Sequence, residues 1–337
     1  MSIRPVALLA AVALLGGAAL GACSSTKVAT RTASTTAPRP AVVPSSGCRA
    51  PDTAKAGLTT STVQSGGIAR TYLLDVPVSY TGKKPIALVF GLHPLSVSYQ
   101  FMPSQIGFDD MQKKYDFIGV APSGLTVPAP FWDAAPSTPN YDLDFISTLL
   151  THLEATLCIN TVKVFSTGIS NGAQLSSLLG CRLSTRITAI APVEGEEYLT
   201  PCSGHPEPIL AFHGTADKIL PYAGGGLNAT HIAQLYAWHG VTPPDMPEPL
   251  GIDQSMKLWA AHNGCNPTPT EVRVAFDVRK RTWTGCKAPT ILYIVDGGGH
   301  GWPGKPVPAM EKIMGHDTTS IDATSLVFSF FFHPPHS

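Results

Sequence analysis

Thr161-Val162-Lys163-Val164-Phe165-Ser166-Thr167-Gly168-Ile169-Ser170-Asn171-Gly172 is a β-rich run that breaks into a Gly-Ile-Ser-Asn-Gly turn, and an alanine- and leucine-containing helical pattern follows it. Strand, sharp turn and helix in that order put Ser170 at the apex. In a nucleophile elbow the serine backbone is strained, and small residues two positions before and after it let strand and helix approach closely. Gly168 and Gly172 hold those positions. The turn would also aim the Asn171 N–H, at a helix N-terminus, toward negative charge developing on a carbonyl attacked by Ser170. By itself the pattern G-x-S-x-G arises by chance in roughly one chain in five of this length, and its bland reading is an exposed loop serine. The surroundings decide between the two.

Outward from the elbow, strand and helix patterns alternate. Arg70 to Val76, Ile86 to Leu92, Phe117 to Ala121, Ile187 to Val193, Pro208 to Phe212, Glu271 to Phe276 and Thr290 to Val295 read as strands. Ile86 to Leu92 is a continuous apolar run of the kind buried in a central sheet. Ser104 to Lys114, Asp142 to Thr156, Ala173 to Leu183, Asp253 to His262 and Asp322 to Phe332 read as helices. Such alternation predicts an α/β domain with a mostly parallel sheet covered by helices on both faces. Ala223 to Pro249, with glycines at its start and prolines at its end, reads as an insertion or lid in which only His231 to Trp238 suits a short helix.

The bulk properties narrow the function classes. The chain has 337 residues, 44% hydrophobic and 14% charged, with 23 basic and 23 acidic side chains and a formal net charge of zero. No basic excess argues for nucleic acid. Residues 1–22 carry Arg4, an apolar run from Val6 to Leu20 and small residues ahead of Cys23, which is the pattern of an export signal. The run is short and broken by glycines, which disfavours a membrane-spanning anchor. Residues 23–47, rich in Ser, Thr, Ala and Pro, are expected to be a disordered tether, with a catalytic domain over 48–337. Setting Cys23 aside, six cysteines remain: Cys48, Cys158, Cys181, Cys202, Cys265 and Cys286. Outside the cytosol six allow three disulfides in fifteen pairings. Cys265 and Cys286, flanking what reads as a strand pair, are the favoured bridge. None has metal-ligand spacing, so no metal site is expected.

A serine hydroxyl needs a base, and the base needs a carboxylate to orient it; after an elbow the order to seek is Ser, acid, His, with the last two in loops following later strands. Asp217 lies five residues past Phe212, and His300 five past Val295 within Gly297-Gly298-Gly299-His300-Gly301-Trp302-Pro303-Gly304. The bland alternatives are a turn-capping aspartate and a histidine on a glycine-rich hairpin. So many glycines around one imidazole suggest close backbone packing instead. His93 and His213 directly follow strands and read as loop-holding residues. Asp296 is a rival acid, too near His300 in sequence to orient it easily. A second oxyanion donor belongs in the loop after Leu92, where the Leu95 N–H is the candidate. Phe131, Trp132 and Trp302 are candidates for lining an acyl or aromatic pocket, or else core. Glu194, Glu196 and Glu197 are expected near the pocket edge.

Taken together, Ser45-Ser46-Gly47-Cys48, Cys158-Ile159-Asn160-Thr161, Gly-Ile-Ser-Asn-Gly, Ala191-Pro192-Val193, His213-Gly214-Thr215-Ala216-Asp217 with Pro221-Tyr222, and the Gly-Gly-Gly-His-Gly-Trp-Pro-Gly stretch resemble the secreted esterases of the feruloyl esterase and polyhydroxybutyrate depolymerase type, including mycobacterial esterase lipoproteins. The resemblance runs from about Ser45 to the end. It implies the α/β-hydrolase fold and a triad of Ser170, Asp217 and His300, with no cofactor. Leu20-Gly21-Ala22-Cys23 resembles a bacterial lipobox, implying lipidation of Cys23 and a membrane-tethered or secreted, monomeric esterase. One departure stands out: the family shows His-Gly where this chain has His93-Pro94, and proline offers no N–H. The implied activity is hydrolysis of feruloyl, acetyl or short acyl esters. A polyhydroxyalkanoate depolymerase would need an exposed apolar surface by the cleft. A non-catalytic, surface-anchored binding lipoprotein is the alternative of another class, and Pro94 is the feature that favours it.

Overall fold

The computed structural model describes residues 42–50, 54–126, 129–136, 138–225 and 248–335. The expected leader, Cys23, most of the tether and the possible helix at His231 to Trp238 lie outside them. Ten described strands form one sheet: β1 Gly57–Ser65, β2 Ile68–Val76, β3 Ile86–Leu92, β4 Phe117–Pro122, β5 Ile159–Ile169, β6 Ala189–Val193, β7 Ile209–Gly214, β8 Thr270–Ala275, β9 Val278–Trp283 and β10 Thr290–Val295. Their order is β1-β2-β4-β3-β5-β6-β7-β10-β9-β8. Strands β4, β3, β5, β6, β7 and β10 run parallel, and antiparallel pairs close both edges. The elbow strand therefore sits inside the parallel block, and the carboxyl ends of β5, β7 and β10 share one rim.

The side-chain period of two sorts each strand into two cores. On β3, Leu88, Phe90 and Leu92 face one core while Ala87 and Val89 face the other. The first core is covered by α3 Tyr141–Thr156, α4 Asn171–Arg182 and α5 Ile252–His262, through Phe145, Leu149, Leu175, Leu178, Met256 and Trp259. The second is covered by α1 Met102–Ile106, α2 Phe108–Gln112 and α6 Ala323–Phe332, through Met102, Phe108, Val327 and Phe328. Both faces are thus buried, which is why β3, β4 and β6 are apolar along their whole length and β7 and β10 are so apart from the buried His213 and Thr290.

Three differences from the sequence reading have local causes. The single helix expected over Ser104 to Lys114 is two short helices, because Gly107 adopts a left-handed φ of 77° and ends the first. Strand β1, rich in Thr and Ser, was not anticipated; as an edge strand it buries little and gives no apolar signal. Residues just before Cys48, expected within the tether, are also packed. Val43 and Ser45 already bond to the Asn160 side chain and the Ile159 carbonyl, and Ser45 Oγ donates to Leu157 O at 2.6 Å.

The six cysteines close three disulfides, Cys48–Cys158, Cys181–Cys202 and Cys265–Cys286. The third is the favoured bridge of the sequence reading, and it staples the β8–β9 hairpin to the end of α5. Three such bonds belong to an oxidising, extracellular-type compartment. Among the described residues no helix is long and apolar enough to cross a membrane.

Candidate active site

Ser170 lies between β5 and α4 with φ 57° and ψ −125°, a conformation that costs a non-glycine residue on the order of 1–3 kcal/mol. The surroundings hold it there. Its N–H donates to Val193 O at 2.9 Å, and its carbonyl accepts from Ala173 N at 2.8 Å and Gln174 N at 3.0 Å. Two glycines make the crossing possible. A Cβ on Gly172 would lie 2.2 Å from Leu92 O, and one on Gly168 would lie 2.7 Å from the Gly172 carbonyl carbon. The side chain is 9% exposed. Among the described residues its hydroxyl forms no hydrogen bond, to His300 or to any other group.

Asp217 and His300 meet at the same rim. His300 Nδ1–H donates to Asp217 Oδ2 at 2.7 Å, an assignment that leaves Nε2 free to accept a proton. The other oxygen, Oδ1, accepts from the Ile219 and Leu220 amides at 2.7 and 2.9 Å. Asp217 is 5% and His300 2% exposed. Burial alone would raise the Asp217 carboxyl, but bonds from His213 and His300 outweigh it and hold the group well below the usual carboxylate range. The glycine run around His300 has the tight packing its composition suggests. Gly299 N–H donates to His316 O and His300 N–H to Met314 O, both at 2.7 Å. A Cβ at Gly299 would lie 2.3 Å from Met314 O.

The loop after β3 is built around a fixed histidine. His93 Nε2 accepts from Gly124 N–H at 2.9 Å, so Nδ1 carries the proton and donates to Pro94 O at 2.9 Å. Burial pushes its pKa down to about 4. It is a neutral loop-holding residue, as the sequence suggested. Trp132 packs 4.7 Å from this ring and its Nε1–H donates to His93 O at 3.0 Å. Asn171 then ties the same loop to the elbow: its Oδ1 accepts from Trp132 N at 2.7 Å and its Nδ2 donates to Trp132 O at 3.0 Å. Leu95 is half-buried in a turn whose Ser96 has φ 64° and donates to Pro130 O at 2.8 Å.

Several sequence expectations change at this point. Trp132 is fully buried beneath His93, and Trp302 lies in the second core with its indole N–H on Thr324 Oγ1 at 3.1 Å, so both are packing residues rather than pocket walls. Phe131 is 8% exposed, with its amide on Leu125 O. Glu194, Glu196 and Glu197 are buried behind Asp217, against His213 and Trp259; Glu194 lines a small cleft with Gly298 and Gly299, and Glu196 and Glu197 line another with Leu220 and Pro249. Their place at the carboxyl end of an interior strand was the signal that could have shown it. Asp296 is taken up by Arg279 and Arg273, away from His300.

No family model matches the chain. It is similar to Feruloyl esterase D of Neurospora crassa, 28% identical over 277 residues that span 77% of this chain and 83% of that protein. It is similar also to Feruloyl esterase C of Emericella nidulans, 29% identical over 244 residues, 69% of this chain and 77% of the relative. Among solved structures, Acetyl xylan esterase from Aspergillus awamori superposes with a TM-score of 0.53 over 76% of this chain and 97% of that one, at 13% identity, a likeness of fold alone. A parallel sheet in this strand order, together with relatives matched over most of their length, makes the chain an α/β-hydrolase-fold enzyme of the carboxylic ester hydrolase class.

Proposed function

We propose that this enzyme is an extracytoplasmic serine esterase that hydrolyses feruloyl, acetyl or short acyl esters through Ser170, His300 and Asp217. The observation that carries the reading is the 2.7 Å bond from His300 Nδ1 to Asp217, on the rim where the strained Ser170 ends its strand. In the proposed reaction His300 Nε2 takes the proton as Ser170 Oγ attacks the ester carbonyl. Asp217 holds the tautomer and balances the imidazolium. The Asn171 N–H, first in α4, and the Leu95 N–H stabilise the oxyanion, a contribution of about 10²–10³ in rate per donor. His300 then protonates the leaving alcohol, and water, activated by the same imidazole, releases the acid and restores Ser170. In the proposed reaction the Ser170–His300 hydrogen bond, which the unliganded site does not form, closes on substrate binding, as catalytic hydrogen bonds commonly do.

The relatives named as feruloyl esterases support an aromatic acyl group among the substrates. The three disulfides support export, and the lipobox-like Leu20-Gly21-Ala22-Cys23 supports attachment to the membrane through Cys23. The test is a panel of p-nitrophenyl acyl esters, methyl ferulate and emulsified polyhydroxybutyrate, with wild type and Ser170→Ala side by side. Turnover of the small esters that vanishes in Ser170→Ala supports the reading. Turnover retained in that variant defeats it, and hydrolysis of the polymer alone moves the enzyme to the depolymerases. Detergent-phase partition that is lost in Cys23→Ala tests the anchor.

A further inference from the structure

Behind the acid end of the site lies a second imidazole that the reaction above does not use. His213, the penultimate residue of β7, is fully buried, and both of its ring nitrogens face acceptors. Nε2 lies 2.8 Å from Leu220 O and 3.4 Å from Asp217 Oδ2. A carbonyl only accepts, so Nε2 carries a proton. Nδ1 lies 3.0 Å from Glu196 Oε2, an oxygen that also accepts from Gly195 N–H at 3.1 Å. An acceptor at each nitrogen is the environment of a doubly protonated ring.

We propose that His213 is a positioning residue, a buried imidazolium clamped between Glu196 and Asp217 that sets the charge on the acid end of the catalytic site. This inference rests on the proposed roles of Ser170, Asp217 and His300. The clamp leaves His213, Glu196 and Asp217 with one net negative charge, which a proton arriving on His300 neutralises. Without the cation, two carboxylates would crowd the same dry pocket beside His300. The same clamp holds the Asp217 loop, because the Leu220 carbonyl bonds to His213 while the Leu220 amide bonds to Asp217.

The other groups facing the ring fit this charge state. Glu194, from the loop after β6, lies 3.6 Å from Nε2 and accepts from Gly214 N–H at 3.0 Å; burial pushes its carboxyl well above the ordinary range, and the nearby His213 works against that shift. Tyr222 meets the ring edge-on at 5.9 Å, with its hydroxyl donated to Asp253, which Arg281 pairs from β9. For His213 itself, burial works against the charge, and Glu196, Glu194 and the bond to Asp217 outweigh it, holding the proton well above the ordinary histidine range.

The test is a charge-rescue cycle on the full chain with His213→Gln, Glu196→Gln and the double variant, using p-nitrophenyl acetate over pH 5 to 9. Fluorophosphonate titration of Ser170 counts competent sites in every sample. Removing the cation adds net negative charge beside His300, so His213→Gln should move the acid limb of kcat/KM up by about one pH unit. Its kcat should fall about tenfold or more at a KM changed little. Glu196→Gln should move the limb the other way, and the double variant, with the original net charge restored, should recover most of the rate lost in His213→Gln. A limb that stays put in both single variants, or losses that multiply in the double variant, would overturn the role, because a packing or hydrogen-bonding function predicts those outcomes. A His213→Gln protein that fails to fold leaves the Glu196→Gln limb and the double variant to decide. A wild type that neither labels at Ser170 nor hydrolyses the ester defeats the catalytic reading itself, and this role with it.

Discussion

His300 Nδ1 and Asp217 Oδ2 lie 2.7 Å apart although 83 residues separate them in the chain. Parallel pairing of β7 with β10 brings the two loops together, since Gly214 and Val295 end paired strands in register. In Asp217→Asn the amide would present a donor to Nδ1 and turn the imidazole to the wrong tautomer. The cost of that change in a serine protease triad is about 10⁴ in kcat, and a loss of about 10³–10⁴ is expected here, with a lowered melting temperature because the carboxylate also faces the buried His213. Stopped assays on p-nitrophenyl acetate, with melting curves on the same samples, check it; a loss under tenfold would remove Asp217 from the mechanism.

Gly172 has no room for a side chain. Its Cβ would sit 2.2 Å from the Leu92 carbonyl oxygen and 2.7 Å from that of His93, both backbone atoms that cannot rotate aside. Gly172→Ala should therefore push α4 off β3, destabilising the fold by at least about 1–3 kcal/mol and displacing Ser170. Urea unfolding and kcat should both register the change. Equal stability and activity in the alanine variant would mean that the elbow packs differently.

Arg70 pairs with Asp142 at 2.5 Å with both side chains buried, and Asp142 Oδ2 also accepts the Asp133 amide at 2.7 Å. The pair thus fixes the loop whose Trp132 bonds to Asn171. Arg70→Met leaves Asp142 buried without its counter-ion, at a cost of about 3–5 kcal/mol, and Asp142→Asn added to it should recover part of the loss. Equilibrium unfolding of the single and double variants measures this directly.

Glu197 is buried with Oε1 accepting from Gln174 Nε2 at 2.8 Å, and burial raises its carboxyl to about 7. An acid whose folded pKa exceeds the unfolded one binds its proton more tightly when folded. Its contribution therefore falls as pH rises from about 4.5 to 7, by a few kcal/mol at most. Glu197→Gln removes that slope. The melting temperature of the variant should gain on wild type as pH goes from 5 to 8, and a constant difference would contradict the assignment.

Local pattern was enough for much of this fold. Ile86 to Leu92 and Thr290 to Val295 have the same limits as sequence pattern and as strands β3 and β10, because strands buried on both faces are apolar at nearly every position. The turn at Ser170 was equally legible, since glycines at fixed offsets record a crossing of strand and helix that admits no Cβ.

What the chain does at long range needed the tertiary structure. Sequence alone named Asp217 and His300 as candidates, yet only the β7–β10 pairing brings the carboxylate to the imidazole. Only the packing shows that Glu194, Glu196 and Glu197 turn inward and that Trp302 belongs to the core, because burial of a polar or aromatic side chain depends on which layer covers it. Periodicity is written in neighbouring residues and survives without partners. The pairing of cysteines, the company of a buried charge and the closing of a catalytic rim are set by strand order, which joins residues that no local pattern relates.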